Sequence, residues 1–186
     1  MTPEIIFQDG KHELILVQDF IDDLHYSALH SSIDWQEHHL KLFGKEVAEP
    51  RLSQWYGPRY TYSGKSRSAK TMPKLLQSIC SQISSYSNFE LNSVLANLYR
   101  RGQDSMGWHA DNESEIDQEL IASYSIGAER IFAVRDSNKL RTNIVLPSNS
   151  LLLMKNMQEG HQHAVPKTQK DVGPRINLTF RRVKTG

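Results

Sequence analysis

The chain has 186 residues, with 22 Lys or Arg against 21 Asp or Glu, and a single cysteine, Cys80. One cysteine excludes a scaffold held together by intrachain disulfides and favours a reducing compartment such as the cytoplasm. No apolar run approaches the length that spans a bilayer, and the amino-terminal sequence lacks the apolar stretch of a signal peptide. We therefore expect a single domain over residues 1–186 with no membrane partner.

Basic and acidic side chains are segregated along the chain, although the net charge is only +1. Residues 41–74 carry eight basic and two acidic side chains, and residues 137–186 carry nine and two. Residues 101–136 reverse this balance, with eight acids and three bases. The distribution suits an enzyme that binds a polyanion beside a metal pocket, but a solvated surface of mixed charge explains it as well.

Two amphipathic helices are predicted in the first half of the chain, over residues 20–33 and 71–86. The second has the clearer pattern, with Met72, Leu75, Leu76, Ile79, Cys80 and Ile83 at helical spacing. Between them, Gly44 in KLFGKEVAEPR is a good turn residue for a hairpin.

From about residue 91 the pattern becomes that of short strands separated by turn residues. The segments are NSVLANLYR, IASYSIG, RIFAVRD, NIVLP, SLLLMK, HQHAVP and RINLTFRRV. We expect an α+β, mainly β protein. Residues 1–90 would supply helical support and recognition hairpins, and residues 91–186 a jelly-roll core of two sheets with an open mouth.

The last predicted strand has one apolar and one polar face, because side chains alternate along a strand. Its polar face would carry Arg175, Asn177, Thr179 and Arg181. An ordinary strand with a solvated face is the simple explanation, but two arginines on one face also suit a dicarboxylate. Asn97 and Tyr99 are also two residues apart and so share one face of their strand. An ordinary half-buried strand is the simpler explanation for this pair.

Histidines and a carboxylate occur at i, i+2 spacing in two places. His109 and Asp111 lie in GWHADNE, and His161 and His163 lie in GHQHAVPK. Two imidazoles and one carboxylate form the facial triad of non-haem Fe(II) oxygenases, which leaves coordination positions open. The spacing alone does not choose between His161 and His163.

Residues from about 50 to 183 resemble the AlkB family of Fe(II)/2-oxoglutarate-dependent nucleic-acid demethylases. The resemblance rests on PRLSQWYG, YTYSG, NLYRRGQDSMGWHADNE, IASYSIGAERIF, HAVPK and PRINLTFR, in that order. The chain is most similar to the animal members that act on DNA. The family implies a double-stranded β-helix and oxidative demethylation of N1-methyladenine and N3-methylcytosine, with release of formaldehyde, succinate and CO2.

The resemblance also implies roles for individual residues. It assigns Fe(II) to His109, Asp111 and His163, which makes His161 a surface or neighbouring histidine. It assigns 2-oxoglutarate to Asn97, Tyr99, Arg175, Asn177 and Arg181, and we add Thr179 from the same polar face. O2 is the second cosubstrate.

The nucleic acid would be held by residues of the first half and by Glu113. Tyr62 resembles the family's stacking aromatic, and Tyr60 and Glu113 its polar pocket residues; Ser63 and Arg51 complete the predicted substrate contacts. Phe43 resembles an apolar wedge that fills the gap left by a flipped base. Core packing is the alternative explanation for Tyr62, and an ordinary hairpin with a half-buried phenylalanine is the alternative for Phe43. Asn112 departs from the acid of the similar animal enzymes.

Three alternatives remain open from the sequence. The same chemistry on RNA would look alike in the catalytic core. A nucleic-acid-binding protein could keep the fold without catalysis, and a jelly-roll metalloenzyme could work without 2-oxoglutarate. We expect a monomer, associated with the nucleoid in a bacterium or located in the nucleus in a eukaryote.

Overall fold

The computed structural model describes residues 2–42, 44–62 and 65–184 of the chain, and side chains over residues 2–39, 44–59 and 68–184. Within these ranges the architecture is two antiparallel sheets, with two helices packed on the outer face of the larger sheet. This confirms the predicted mainly β jelly-roll class.

The larger sheet has eight strands in the order β1-β2-β12-β9-β14-β7-β4-β3. Its strands are β1 (Pro3–Asp9), β2 (His12–Gln18), β3 (Gln36–Leu42), β4 (Lys45–Tyr56), β7 (Ser93–Tyr99), β9 (Leu120–Gly127), β12 (Ser150–Lys155) and β14 (Arg175–Arg181).

The smaller sheet has four strands in the order β11-β10-β13-β8. These are β8 (Met106–His109), β10 (Arg130–Asp136), β11 (Arg141–Leu146) and β13 (His161–Val165). A separate pair, β5 (Tyr60–Tyr62) and β6 (Lys65–Arg67), forms a short hairpin.

The larger sheet is buried on both faces. Its outer face packs against α1 (Tyr26–Ser31) and α2 (Lys74–Ser87) through residues such as Leu29, Leu76 and Phe180. Its inner face packs against the smaller sheet through residues that include Leu95 and Phe132. The polar residues of β14 lie on this inner face, so the fold places them between the two sheets.

All seven predicted strands are present, with ends shifted by at most a few residues. Helix α2 is also confirmed. It begins after Pro73, which has no N–H to donate, and ends at Asn88 in the left-handed conformation (φ 52°). Gly44 joins β3 to β4 with φ 79°, as expected of a hairpin turn.

The prediction of a helix over residues 20–33 was wrong in extent, because α1 covers only six residues. Asp19 and Asp23 adopt positive φ angles of 51° and 57°, which an α-helix does not allow. The side-chain amide of Asn149 accepts from the backbone N–H of Ile21 and donates to its carbonyl oxygen. These two hydrogen bonds satisfy the backbone polar groups of Ile21 without a helix. Ile21, Leu29 and Ile33 are buried, but only Leu29 of these lies in the helix.

The hairpin β1–β2 was not predicted from the sequence; it joins the larger sheet through the pairing of β2 with β12. Residues before 90 therefore contribute four strands to this sheet in addition to the helices. Neither helix of the described ranges is long and apolar enough to cross a membrane.

Candidate active site

Sheet pairing brings His109 and His163 together. Strands β8 and β13 are antiparallel neighbours, and these two residues face each other directly in the register. Side chains opposite each other in a ladder leave the sheet on the same side with Cβ atoms about 5 Å apart. The centroids of the two imidazole rings are 4.2 Å apart.

Asp111 lies two residues beyond the end of β8 and is fully buried. Its backbone N–H donates to Gln158 Oε1 at 2.9 Å, and its Oδ1 accepts from Arg181 Nη2 at 2.7 Å. Among the described residues, Oδ2 has no hydrogen-bond partner. It lies 3.9 Å from His163 Nε2. One carboxylate oxygen is thus held by the protein while the other is available to a ligand.

His109, Asp111 and His163 each offer a ligand atom, and these atoms all lie within 4.8 Å of one another. Over the part of the chain that the structure describes, no other group of three such residues meets this condition. Ligands about 2.0–2.2 Å from one ion lie at most about 4.4 Å apart, so small side-chain adjustments close the group on an ion. Two imidazoles, one carboxylate and a buried unpartnered oxygen fit Fe(II).

The protonation states suit metal binding. His109 Nδ1 lies 2.8 Å from the carbonyl oxygen of Gly107, which can only accept a hydrogen bond, so Nε2 is the ring nitrogen left to bind a metal. Burial lowers the pKa of His163 to about 3, which keeps that ring neutral. Burial raises the pKa of Asp111, but Arg181 and the histidines outweigh it and bring it to about 2.

The ring of Phe132 stacks on His163, with centroids 5.2 Å apart and an interplanar angle of 22°. Phe132 lies on β10, the strand next to β13. The contact fixes the plane of the imidazole and covers one face of it with an apolar group.

The polar face of β14 forms the second part of the site. Arg175 is 1% exposed, and its Nη2 donates to Ser125 Oγ at 2.8 Å. Its guanidinium lies 5.3 Å from the ring centroid of Tyr99, the residue opposite it on β7. Within the described ranges, Nε and Nη1 of Arg175 have no hydrogen-bond partner. Burial lowers the pKa of Arg175 to about 10, so it remains a cation, and its two unused donors fit an incoming carboxylate.

Asn177 and Thr179 line the same face but bond mainly to neighbours. Asn177 Nδ2 donates to Ser123 Oγ at 2.8 Å and to the carbonyl oxygen of Tyr124 at 3.1 Å. Thr179 Oγ1 donates to Asn177 Oδ1 at 3.1 Å. These bonds fix the polar face before any ligand is present.

The structure places Arg51 in the interior, in contrast to the exposed position that a nucleic-acid contact requires. Its side chain is 7% exposed. Its Nε donates to Asn97 Oδ1 at 2.9 Å, and its Nη2 pairs with Glu49 Oε2 at 2.8 Å. Arg51 is thus beside a predicted 2-oxoglutarate residue.

Most of the other predicted substrate residues lie outside what the structure describes. Phe43 and Ser63 are outside the described residues, and Tyr60 and Tyr62 are described only as the backbone of β5. Glu113 is half-buried, and its Oε2 is a buried atom without a hydrogen-bond partner in the described parts of the chain. Glu113 therefore stays a candidate for a donor on a bound base.

His161 belongs to a different place from the metal group. Its ring packs against His12 of the β1–β2 hairpin, with centroids 5.0 Å apart, and both line a cavity of about 350 Å³. The choice between His161 and His163, which spacing alone left open, is resolved by pairing: His163 faces His109, whereas His161 faces Asp136 of β10.

Several residues of the site were not predicted. The alternation of Arg51, Ser53 and Trp55 along β4 could have singled out Ser53, whose buried hydroxyl has no partner among the described residues. Gln158 and Phe132 reach the metal ligands only through long-range pairing, and no local pattern marks them.

The model of the 2OG-Fe(II) oxygenase superfamily matches residues 17–181. The chain belongs to this superfamily. Within it the chain is an AlkB-type dioxygenase, since it is 33% identical over 210 residues to the alpha-ketoglutarate-dependent dioxygenase alkB homolog 3 of Bos taurus, a match covering 97% of this chain and 73% of that protein. The superfamily's cofactors are Fe(II), 2-oxoglutarate and O2.

Two further relatives are matched over part of their length. The alkB homolog 3 of Homo sapiens is 36% identical, covering 73% of this chain and 52% of that protein. The human DNA oxidative demethylase ALKBH2 is 35% identical, covering 77% and 60%. The chain therefore spans about half to three-quarters of these relatives.

Among solved structures, OsALKBH1 has the same fold. Its TM-score is 0.65 at 15% identity, and the match covers 96% of this chain and all of that one.

Proposed function

We propose that this AlkB-type dioxygenase removes methyl groups from alkylated DNA, with N1-methyladenine and N3-methylcytosine as its substrates. The observation that carries the proposal is the position of the buried anion-binding face. One strand, β14, supplies both Arg181, which contacts the proposed metal ligand Asp111, and Arg175, two of whose donors have no partner within the described part of the chain. A cosubstrate bound to Arg175 would therefore lie on the same strand that contacts the metal group.

The chain's residues would divide the work as follows. His109 Nε2, His163 Nε2 and Asp111 Oδ2 would hold Fe(II), and Arg175 would bind a carboxylate of 2-oxoglutarate. When bound, Fe(II) with 2-oxoglutarate and O2 supplies the oxidation of an N-methyl group, with loss of that carbon as formaldehyde and conversion of the cosubstrate to succinate and CO2. Phe132 and the rest of the inter-sheet core exclude water from one side of this centre.

Glu113 supports a methylated base as the substrate. It lies two residues after Asp111, and its Oε2 is buried and has no hydrogen-bond partner among the described residues. Adenine and cytosine both carry an exocyclic amino group that such an oxygen can accept from. Because the methyl group of N1-methyladenine or N3-methylcytosine is on the pairing edge, the base must leave the helix, and the lesion itself lowers the cost of unpairing.

The names of the relatives favour DNA over RNA, since ALKBH2 is named as a DNA oxidative demethylase. The experiment is a demethylation assay on oligonucleotides carrying either lesion in single-stranded DNA, duplex DNA or RNA. We expect formaldehyde and succinate in equal amounts, dependent on Fe(II) and 2-oxoglutarate, with faster turnover on DNA.

Each other result points to a different alternative. Faster turnover on RNA would make the protein an RNA demethylase. Succinate formation without base repair would overturn the substrate, and nucleic-acid binding without either product would leave a non-catalytic member of the fold. The His163→Ala variant is the matched control, because it removes a metal ligand and should abolish both products.

A further inference from the structure

Arg51 is one of the buried cations of the inner face that the proposed reaction does not use. It lies on β4, which pairs with β7 so that Ser53 faces Asn97. Its Nε donates to Asn97 Oδ1 at 2.9 Å, and this hydrogen bond is itself buried. The bond joins a cation of one strand to the amide of its neighbour.

This hydrogen bond determines how the amide of Asn97 is turned. Arginine Nε can only donate, so the atom of Asn97 that it reaches must be the amide oxygen. The Nδ2 group of Asn97 is then directed away from Arg51. Asn97 shares the inner face of β7 with Tyr99, which lies beside Arg175 of β14. We infer that Nδ2 of Asn97 is a donor to an anion bound at this face.

Glu49 completes the arrangement from the same strand. It is 5% exposed, and its Oε2 pairs with Arg51 Nη2 at 2.8 Å. A buried arginine without a partner would be strongly destabilising, so Glu49 makes the position of Arg51 tolerable. The pair also neutralises Arg51, which leaves it poorly suited to attract a phosphate at the surface.

We propose that Glu49 and Arg51 are positioning residues for the cosubstrate: Glu49 fixes Arg51, and Arg51 turns the amide of Asn97 so that Nδ2 donates to 2-oxoglutarate. This rests on the proposed function, because it requires 2-oxoglutarate to bind at the β14–β7 face. It differs from the sequence-based expectation, in which Arg51 contacts the nucleic acid.

The test is calorimetric titration of 2-oxoglutarate into the full chain loaded with Mn(II), without O2, so that binding is measured apart from turnover. The wild type is expected to bind. Losing a buried charged hydrogen bond should weaken binding roughly 10- to 100-fold in Arg51→Met. Glu49→Gln should weaken it less. Arg51→Lys should lose less than Arg51→Met, because a lysine ammonium held by Glu49 can still donate to Asn97 Oδ1. The exposed Arg59→Met is the matched control and should bind like the wild type.

A double-mutant cycle separates positioning of the Asn97 amide from a general destabilisation of the fold. If Arg51 acts through Asn97, Arg51→Met should add little to the loss already caused by Asn97→Ala. Steady-state kinetics of Arg51→Lys should show a raised KM for 2-oxoglutarate and an unchanged KM for the methylated oligonucleotide.

The outcomes that overturn the proposal are distinct from those that overturn the reaction. Unchanged 2-oxoglutarate affinity in Arg51→Lys, Arg51→Met and Glu49→Gln, or additive losses with Asn97→Ala, refutes the positioning role. If these variants bound the oligonucleotide more weakly but 2-oxoglutarate normally, Arg51 would instead be a nucleic-acid contact. A wild type that binds no 2-oxoglutarate refutes the proposed function instead. If Arg51→Met fails to fold, Arg51→Lys and Glu49→Gln decide the question.

Discussion

Arg181 Nη2 lies 2.7 Å from Asp111 Oδ1, and both side chains are almost fully buried. The pair joins β14 to the loop after β8, so it links the larger sheet to a proposed metal ligand. Its contribution to folding and its contribution to the site can be measured separately.

Removal of Arg181 should destabilise the protein strongly. Arg181→Ala leaves the carboxylate of Asp111 buried without its cation, a change that costs about 3–5 kcal/mol in comparable cases. Chemical denaturation of the metal-free protein measures this loss. Arg182→Ala is the matched control, since the Arg182 pair with Asp117 is wider, at 3.5 Å, and more exposed, so it should change stability by less than about 1 kcal/mol. Equal losses of stability in the two variants would contradict a larger contribution of the buried Arg181–Asp111 pair.

Gln158→Leu should weaken metal binding although Gln158 offers no ligand to the group. Its Oε1 accepts the backbone N–H of Asp111 and so orients the aspartate. Substitutions that loosen such supporting contacts typically lower metal affinity about 10- to 100-fold. Competition with a chelator measures the change. Gln162→Leu, on β13 beside His163 but exposed, should leave the affinity unaltered; a loss there of similar size would indicate a general effect of the strand.

Arg175→Gln should raise the KM for 2-oxoglutarate sharply. Truncating one side of a buried arginine–carboxylate contact costs on the order of 2–5 kcal/mol, which is a factor of roughly 30 to several thousand. Arg175→Lys keeps the charge but not the planar fork and should recover only part of the loss. Initial rates at varied 2-oxoglutarate give the values. A metalloenzyme that works without 2-oxoglutarate would show little change in either variant.

Phe43→Ala tests the predicted wedge. An apolar side chain that fills the gap beside a flipped base matters for duplexes but not for single strands. We therefore expect the variant to lose more activity on methylated duplex DNA than on single-stranded DNA, in parallel assays. Equal losses on both substrates would discard the wedge.

Stability should fall at alkaline pH through Cys80. Burial raises the pKa of its thiol from 9.0 to about 11. Between these values the unfolded chain has lost the proton that the folded chain retains, so the free energy of unfolding decreases as pH rises, by at most about 1.4 kcal/mol per pH unit. Denaturation at pH 7 and at about pH 10 measures the slope. Cys80→Ala should have the smaller slope; identical slopes would assign the effect to other groups.

The sequence predicted the parts of the fold that local patterns encode. Alternation predicted β14 and its polar face, and helical spacing predicted α2. The length of the first helix was overestimated, because Asp19 and Asp23 adopt left-handed backbone conformations that hydrophobic periodicity does not reveal. Strands β1 and β2 were not predicted; β2 pairs with β12, and β1 pairs with β2.

The site divides in the same way. His109, Asp111, His163 and Arg175 were accessible from spacing and resemblance, and the structure brings the three metal candidates together. The supporting contacts of Gln158 and Phe132 were not accessible, because each depends on residues more than 30 positions away. The burial of Arg51 could not be foreseen either, since it requires Glu49 and Asn97 to meet between two strands.

The amino-terminal hairpin has a consequence for solubility. Strand β2 pairs along one edge of β12, in which the four residues from Leu151 to Met154 are apolar. Without the hairpin, the edge of β12 would expose unpaired backbone N–H and C=O groups next to apolar side chains. An exposed edge of this kind can pair with a strand of another chain. Most of the hairpin precedes residue 17, where the superfamily match begins. In the described fold, β2 covers this edge of β12, and β1 becomes the outer strand of the larger sheet.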